Sequence, residues 1–209
     1  MKTAPTTKGI VKHCLHYVRG NTLDLGAGTA KYKEDLLSHV TNYTAFDMVA
    51  GPHIDMVGDV HATGLPSGSF DTILCTEVLE HIREPWRMVE EIARLLRPGG
   101  TCILTTPFLL PFHADPHDYF RYTLEGVTWL FERARLRIVE SGPFGGIGIV
   151  LGEALKFSFC NPYVHKRPGF IRRNIFRVLY RLLCLLDRSP RKQSIFYSAV
   201  YVVAEKPAS

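Results

Sequence analysis

No C-x-x-C pair occurs in this chain of 209 residues, and its five cysteines, Cys14, Cys75, Cys102, Cys160 and Cys184, stand far apart. An odd, dispersed set argues against a disulfide framework and for reduced thiols in a cytoplasmic setting. Apolar runs are short: none reaches the roughly 18 residues that a spanning helix needs. The opening "MKTAPTTKGIVKHCLHYVRG" has no apolar stretch after its first lysine, so a secretory signal is not expected. Internal repeats and low-complexity tracts are missing too. No spacing of His, Cys and carboxylates matches a metal site, so no metal is expected, and no Ser or Cys occupies a nucleophile elbow.

What the chain does contain is ordinary in bulk and uneven in detail. Its 46% hydrophobic and 22% charged residues suit one globular domain, expected over 1–209. From Asn161 onward, ten Lys or Arg face only Asp187 and Glu205, a local charge of +8, whereas the first 160 residues carry −3. All the excess basicity therefore belongs to the last quarter of the chain.

Short apolar runs alternate with helix-period segments. "NTLDL", "NYTAFD", "FDTILCT" and "TCILTTP" are β-branched runs bounded by Gly, Pro or Asp, and read as strands. Between the last two, Trp86, Val89, Ile92, Ala93 and Leu96 recur at spacings of three and four. That spacing predicts one helix face, opened by Pro85 and closed at Pro98-Gly99-Gly100. A second helix is expected to start at Thr123 as N-cap and to bury Leu124, Val127, Leu130, Phe131 and Ala134. "RIVES" and "FYSAVYVVAEK" complete the strands, with a helical, basic insertion expected over 143–193. This rhythm means an α/β fold, a parallel sheet with helices on both faces.

Ligands of such sheets bind beyond the carboxyl ends of the strands, near the switch point. There "TLDLGAGTAK" supplies Asp24, Gly26 and Gly28. The nicotinamide fingerprint fails because its third glycine position falls on Lys31, and a Walker loop fails as well. An acid ahead of the glycines repels a pyrophosphate and suits a ligand carrying an amino group. Asp47 then closes the second strand, where a carboxylate can accept both hydroxyls of a ribose.

"GDVHATGLPSGSFD", "CTEVLEHI" and "RLLRPGG" follow in order. Together with the glycine turn this series resembles the class I S-adenosylmethionine-dependent methyltransferases, of the type 11 kind, over residues 20 to 140. The resemblance implies a Rossmann-like, seven-stranded mixed sheet of order 3-2-1-4-5-7-6, with the last strand, Tyr197 to Glu205, antiparallel. It implies S-adenosyl-L-methionine as cofactor, with Asp24, Gly26 and Gly28 on the methionine portion, Asp47 at the ribose hydroxyls, and Ala27 and Met48 also among the cofactor-binding residues. Asp59 and Val60 would meet the adenine edge, and Thr76 and Glu77 would line the pocket near the sulfonium. The family's third glycine is Ala30 here, which implies tighter packing. His81 reads as a packed structural histidine.

After the fifth strand, "PFLLPFHADPHDYFRYT" is similar to an H-x-x-P-x-D-Y-x-R-Y-T stretch in some bacterial biosynthetic members of the family. His113 or His117 is the candidate base, with Asp115 or Asp118 orienting the ring and Arg121 close by. The alternative is a structural Asp118–Arg121 ion pair with capping histidines.

In "GFIRRNIFRVLYRLLCLLDR", residues 169–188, Ile171, Ile175, Val178, Leu179, Leu182 and Leu186 share one helix side, and Arg173, Arg177 and Arg181 another. Three readings stand: peripheral contact with the inner face of a membrane, a lid on the sheet edge, or, least favoured, nucleic acid. The expected function is O- or N-methylation of a small-molecule, glycan or lipid-linked acceptor. The alternative is a non-catalytic cofactor-binding module of the same fold.

Overall fold

The computed structural model describes residues 6–114, 116–160, 170–187 and 195–208. Seven strands form one sheet: β1 (Gly20–Leu25), β2 (Val40–Asp47), β3 (Met56–Val57), β4 (Phe70–Thr76), β5 (Leu96–Pro107), β6 (Arg137–Phe144) and β7 (Ala199–Glu205). Their order is β3-β2-β1-β4-β5-β7-β6. The first five strands run parallel, and β7 pairs antiparallel with both β5 and β6. This is the expected sheet, although β7 starts at Ala199 rather than Tyr197, and β3 ends two residues before Asp59.

The central strands are buried on both faces, as near-continuous apolar runs require. On one face Leu23, Leu25, Ile73, Cys75, Cys102, Leu104 and Val202 pack against α3 (Pro85–Leu95) and α4 (Leu124–Arg133). On the other, Leu74, Ile103 and Val203 meet Ile10 and Val11 of α1 (Thr7–His13) and Leu36 of α2 (Lys33–Leu36).

Two details of α3 differ from the periodicity reading. Its buried face is Met88, Val89, Ile92 and Leu95, while Trp86 is 39% exposed. The helix also stops at Leu95, three residues before Pro98. A residue preceding proline is driven into extended backbone, so Leu96-Arg97-Pro98 joins the ladder, with Leu96 opposite Phe70. Freed carbonyls at the helix end accept from Gly68 and Ser69, each at 3.0 Å. The α4 reading holds at its start, where Thr123 Oγ1 accepts from the Gly126 N–H at 3.0 Å. Val127, Leu130 and Phe131 are buried there, with Leu124 and Ala134 partly so.

Between β6 and β7 lie α5 (Ile147–Cys160) and α6 (Phe170–Leu186). They approach closely because Gly148 and Gly152 carry no side chain: a Cβ would collide with the Leu183 carbonyl or with the Tyr180 ring. The Asp187 carboxylate accepts from the Gly148 and Ile149 N–H groups at 2.8 and 2.9 Å, capping α5. The apolar row expected on α6 is not the packed side. Ile175 (62%), Val178 (57%) and Leu182 (56%) are exposed, beside exposed Arg177 and Arg181. The side chains of Ile171, Arg173 and Leu186 lie outside the described residues, as do 161–169 and 188–193 of the expected insertion. Among the described residues, no helix is long and apolar enough to cross a membrane.

Candidate active site at the carboxyl ends of the strands

The strand order reverses between β1 and β4, so a crevice opens beyond their carboxyl ends. Gly26 follows β1 with φ +77°, and a Cβ there would strike the Val78 side chain. Glycine is required by both counts. Gly28, at φ +57°, has nothing within 4 Å of where a Cβ would stand. The turn is tied to β2: Gly26 and Ala27 N–H both donate to the Phe46 carbonyl, at 2.8 and 3.0 Å. The Gly28 N–H donates to Asp47 Oδ2 at 2.8 Å, and the Val49 N–H to Asp47 Oδ1 at 3.0 Å.

Asp24 is almost wholly buried at the end of β1 and accepts from Tyr43 Oη at 2.6 Å. Burial pushes its carboxyl up to about 6, with the Tyr43 hydroxyl and the Lys31 charge acting the other way. Ala30 adopts φ 51°, a left-handed conformation in which its Cβ is strained, and is buried against Ala27 and Ala45. Met48 is 60% exposed. The Asp59 carboxylate accepts from both the backbone N–H and the Nδ1 of His61. Val60 is buried beside it.

At the end of β4, Thr76 is buried and Glu77 takes φ 55°, a strained position for a non-glycine residue. Its Oε1 accepts from Thr105 Oγ1 at 2.8 Å. Burial first, then the neighbouring Glu80, holds the Glu77 carboxyl above the usual range, with Thr105, Lys31 and His113 opposing. Glu77 thus stands within electrostatic reach of the glycine turn's Lys31 and of His113.

The loop after β5 docks on the short helical turn Leu79–His81, where Tyr119 and Phe120 N–H groups donate to the Glu80 carbonyl. Asp118 and Arg121 form a close ion pair, with Arg121 Nη2 2.6 Å from Oδ2. Asp118 also accepts from the His113 N–H at 2.8 Å, and Arg121 donates to the carbonyls of Leu110, Pro111 and Phe120. The pair staples the loop. Its second effect is to aim His113 inward, where His113 Nε2 lies 3.7 Å from Glu80 Oε1. Glu80 is the largest influence raising the His113 imidazole, burial opposing it. His117 is exposed and turns its ring toward Tyr119. Asp115 lies outside the described residues.

Glu80, which the sequence did not single out, and His81, read there as a packed structural histidine, join this group. His81 Nε2 is also 3.7 Å from Glu80 Oε1, and its ring meets that of His113 edge to face at 5.3 Å. Ligand atoms of Glu80, His81 and His113 lie within 4.8 Å of one another, a grouping that could hold a metal ion and that the sequence spacing did not signal. The spacing is silent because 31 residues, with the whole of α3 and β5 among them, lie between His81 and His113.

Residues 23–104 match the family model described as a methyltransferase domain. The solved structure of a SAM-dependent methyltransferase from Archaeoglobus fulgidus superposes with TM-score 0.63 at 14% identity, covering 95% of this chain and 92% of that one. Over residues 23–104 the chain is similar to a methyltransferase domain. Its fold is that of solved SAM-dependent methyltransferases. Among curated relatives, a ubiquinone biosynthesis O-methyltransferase of Xanthomonas oryzae pv. oryzae is 30% identical over 121 residues, 49% of each chain. The chain spans about half the length of the curated relatives it matches. A [4+2]-cyclase shares the fold as well, with TM-score 0.57, 17% identity, and coverage of 92% of this chain and 76% of that one. The methyltransferase segment spans β1 to β5 and ends before the His113 loop.

Proposed function

We propose that this chain binds S-adenosylmethionine on the glycine turn and transfers its methyl group to a hydroxyl of a small or lipid-linked acceptor. The observation that carries this reading is the presence, beyond the carboxyl ends of the same sheet, of both the Asp24-Gly26-Gly28-Asp47 turn and the Glu80–His81–His113 group. In it, buried Asp24 takes the amino group of the methionine portion and Asp47 the ribose hydroxyls. Met48, Asp59 and Val60 border the adenosine, and Thr76 and Glu77 the sulfonium.

Methyl transfer is an in-line displacement at carbon with a good leaving group, so alignment of the acceptor carries much of the rate. The remaining need is to handle the acceptor's proton. His113 serves here better than His117, since it faces a carboxylate while His117 faces solvent. Asp118 and Arg121 act by holding the loop. O-methylation is favoured over N-methylation by the named activity of the curated relatives, which act on a ubiquinone precursor's oxygen by their name.

The exposed row of α6 favours an acceptor presented at a membrane. Ile175, Val178, Leu179, Leu182 and Leu185 face outward beside Arg177 and Arg181. A basic amphipathic helix docks on anionic lipid by this combination. The ring of Phe157 on α5 lies 6.5 Å from that of His113, so the helix pair borders the acceptor side.

Formation of S-adenosylhomocysteine in the presence of a panel of phenols, catechols and polyprenylated phenols tests the reading. Turnover with at least one hydroxyl acceptor is expected. Cofactor binding with no turnover on any hydroxyl or amine would favour a binding module.

A further inference from the structure

Glu80 is fully buried, yet among the described residues its Oε1 has no hydrogen-bond partner, and its Oε2 accepts a 3.3 Å bond from Thr106 Oγ1. An unpaired buried carboxylate oxygen is costly, and demands a reason. The two imidazoles facing it do not supply a proton in their favoured tautomers. His81 Nδ1 contacts the His117 carbonyl and His113 Nδ1 the Pro111 carbonyl, the latter at 3.0 Å. A carbonyl only accepts, so each Nδ1 carries a hydrogen, and in the neutral ring that a metal requires each Nε2 presents a lone pair. The 3.4 Å approach of Arg121 Nη2 to His113 Nδ1 is the longer and weaker contact. Three lone pairs therefore converge, with both Nε2 atoms 3.7 Å from Glu80 Oε1.

We propose that Glu80, His81 and His113 bind a divalent transition-metal ion. Nδ1–H donation to a backbone carbonyl is how metal-bound histidines are usually oriented. Bonds of about 2.0–2.2 Å bring neighbouring ligand atoms to roughly 3–3.5 Å, a contraction of under about 1 Å from the two 3.7 Å spacings to Glu80 Oε1. Two nitrogens and one carboxylate suit Zn²⁺, Mn²⁺ or Fe²⁺ and disfavour Mg²⁺ or Ca²⁺. Three protein ligands leave coordination positions for an outside oxygen.

The role of that ion deepens the proposed methyl transfer and rests on it. A coordinated acceptor hydroxyl becomes more acidic and releases its proton to water. The oxygen then forms a bond to the methyl carbon while the carbon–sulfur bond breaks and sulfur keeps the electron pair. His113 in this scheme is a ligand, and coordination takes over its task as base.

The test uses the full chain, dialysed against chelator and titrated with Co²⁺, with binding of S-adenosylhomocysteine measured on the same samples. One equivalent of Co²⁺ should give visible ligand-field bands that Zn²⁺ abolishes. Loss of a second-sphere partner costs 10- to 100-fold in metal affinity, so Glu80→Gln and His113→Ala should each lose at least about 100-fold. Wild-type affinity for S-adenosylhomocysteine in both variants would show that the fold survives. Absence of the bands in the wild type, or bands unchanged in both variants, overturns the site in favour of a protonated His113 beside Glu80. Metal binding intact without any binding of S-adenosylhomocysteine supports the site and overturns the methyl-transfer reading instead.

Discussion

The Gly28 N–H donates to Asp47 Oδ2 at 2.8 Å, so the glycine turn after β1 is latched to the end of β2. The same carboxylate is the candidate ribose acceptor, and each of its oxygens keeps a free lone pair for that task. Asp47→Ala should therefore weaken S-adenosylmethionine binding by about 1.5–3 kcal/mol, the worth of hydrogen bonds to a charged group. Calorimetry on the folded variant checks it, and unchanged affinity would remove Asp47 from the site.

Asp24 should trade stability for binding. Its carboxyl is raised to about 6 by burial, so the folded state holds its proton more tightly than the unfolded state does. Stability from this group is full below the unfolded value near 4 and is lost as pH rises through about 6. Asp24→Asn should then stabilise the ligand-free protein at pH 7.5 by up to about 2–3 kcal/mol, an advantage that vanishes near pH 3.5. The same variant should bind S-adenosylmethionine more weakly at pH 7.5. Urea unfolding at the two pH values, with calorimetry, reads both effects.

Glu91 gives the opposite pH dependence. Burial raises its carboxyl, but Arg94 and the Thr63 hydroxyl and N–H outweigh that and bring it down to about 2. Its contribution is complete above the unfolded value near 4.5 and fades as pH falls toward 2. Glu91→Gln should cost on the order of 2–3 kcal/mol at pH 7 and little at pH 2.5. An equal cost at both would mean that packing, and no charge, is what Glu91 supplies.

Ala30 has a φ of 51°, a backbone conformation that favours glycine. A left-handed alanine costs about 1–2 kcal/mol in Cβ strain. Glycine relieves it but loses the buried contact with Ala27 and Ala45 and gains unfolded-state entropy. Ala30→Gly should shift stability by less than about 1 kcal/mol in either direction, with cofactor affinity retained. A large loss of affinity would make the Ala30 methyl part of the binding surface.

Arg177 and Arg181, exposed beside the outward apolar row of α6, could together contribute about 2 kcal/mol on an anionic surface. Co-sedimentation should be salt-sensitive with anionic vesicles, absent with neutral ones, and lost in the Arg177→Gln/Arg181→Gln variant. Protein remaining in the supernatant throughout would assign the apolar row to another surface.

The sheet was readable because each central strand is a short apolar run bounded by Gly, Pro or Asp, and because the motifs recur in order. Local exceptions came from tertiary competition. Trp86 fits a helix period but lies outward, since Met88 and Leu95 fill the space under α3. Leu96 fits the same period but joins β5, because Pro98 forces extended backbone ahead of it. The Glu80–His81–His113 group was invisible to spacing, since the chain passes through α3 and β5 between its members. His81 read as packed, and it is packed, against another histidine and an orphaned carboxylate. In α6 the period was right, but which face is covered depends on Gly148 and Gly152 of α5, which no helix reveals about its neighbour.

The central claim is that the turn from Asp24 to Gly28, latched to Asp47, holds S-adenosylmethionine. Titration of the full chain with S-adenosylhomocysteine, in wild type and in Gly28→Val, addresses it most directly. Saturable binding at one site per chain, abolished by a valine that fills the open space at Gly28, is the result expected. No binding by the wild type, or equal binding by the folded valine variant, would contradict it.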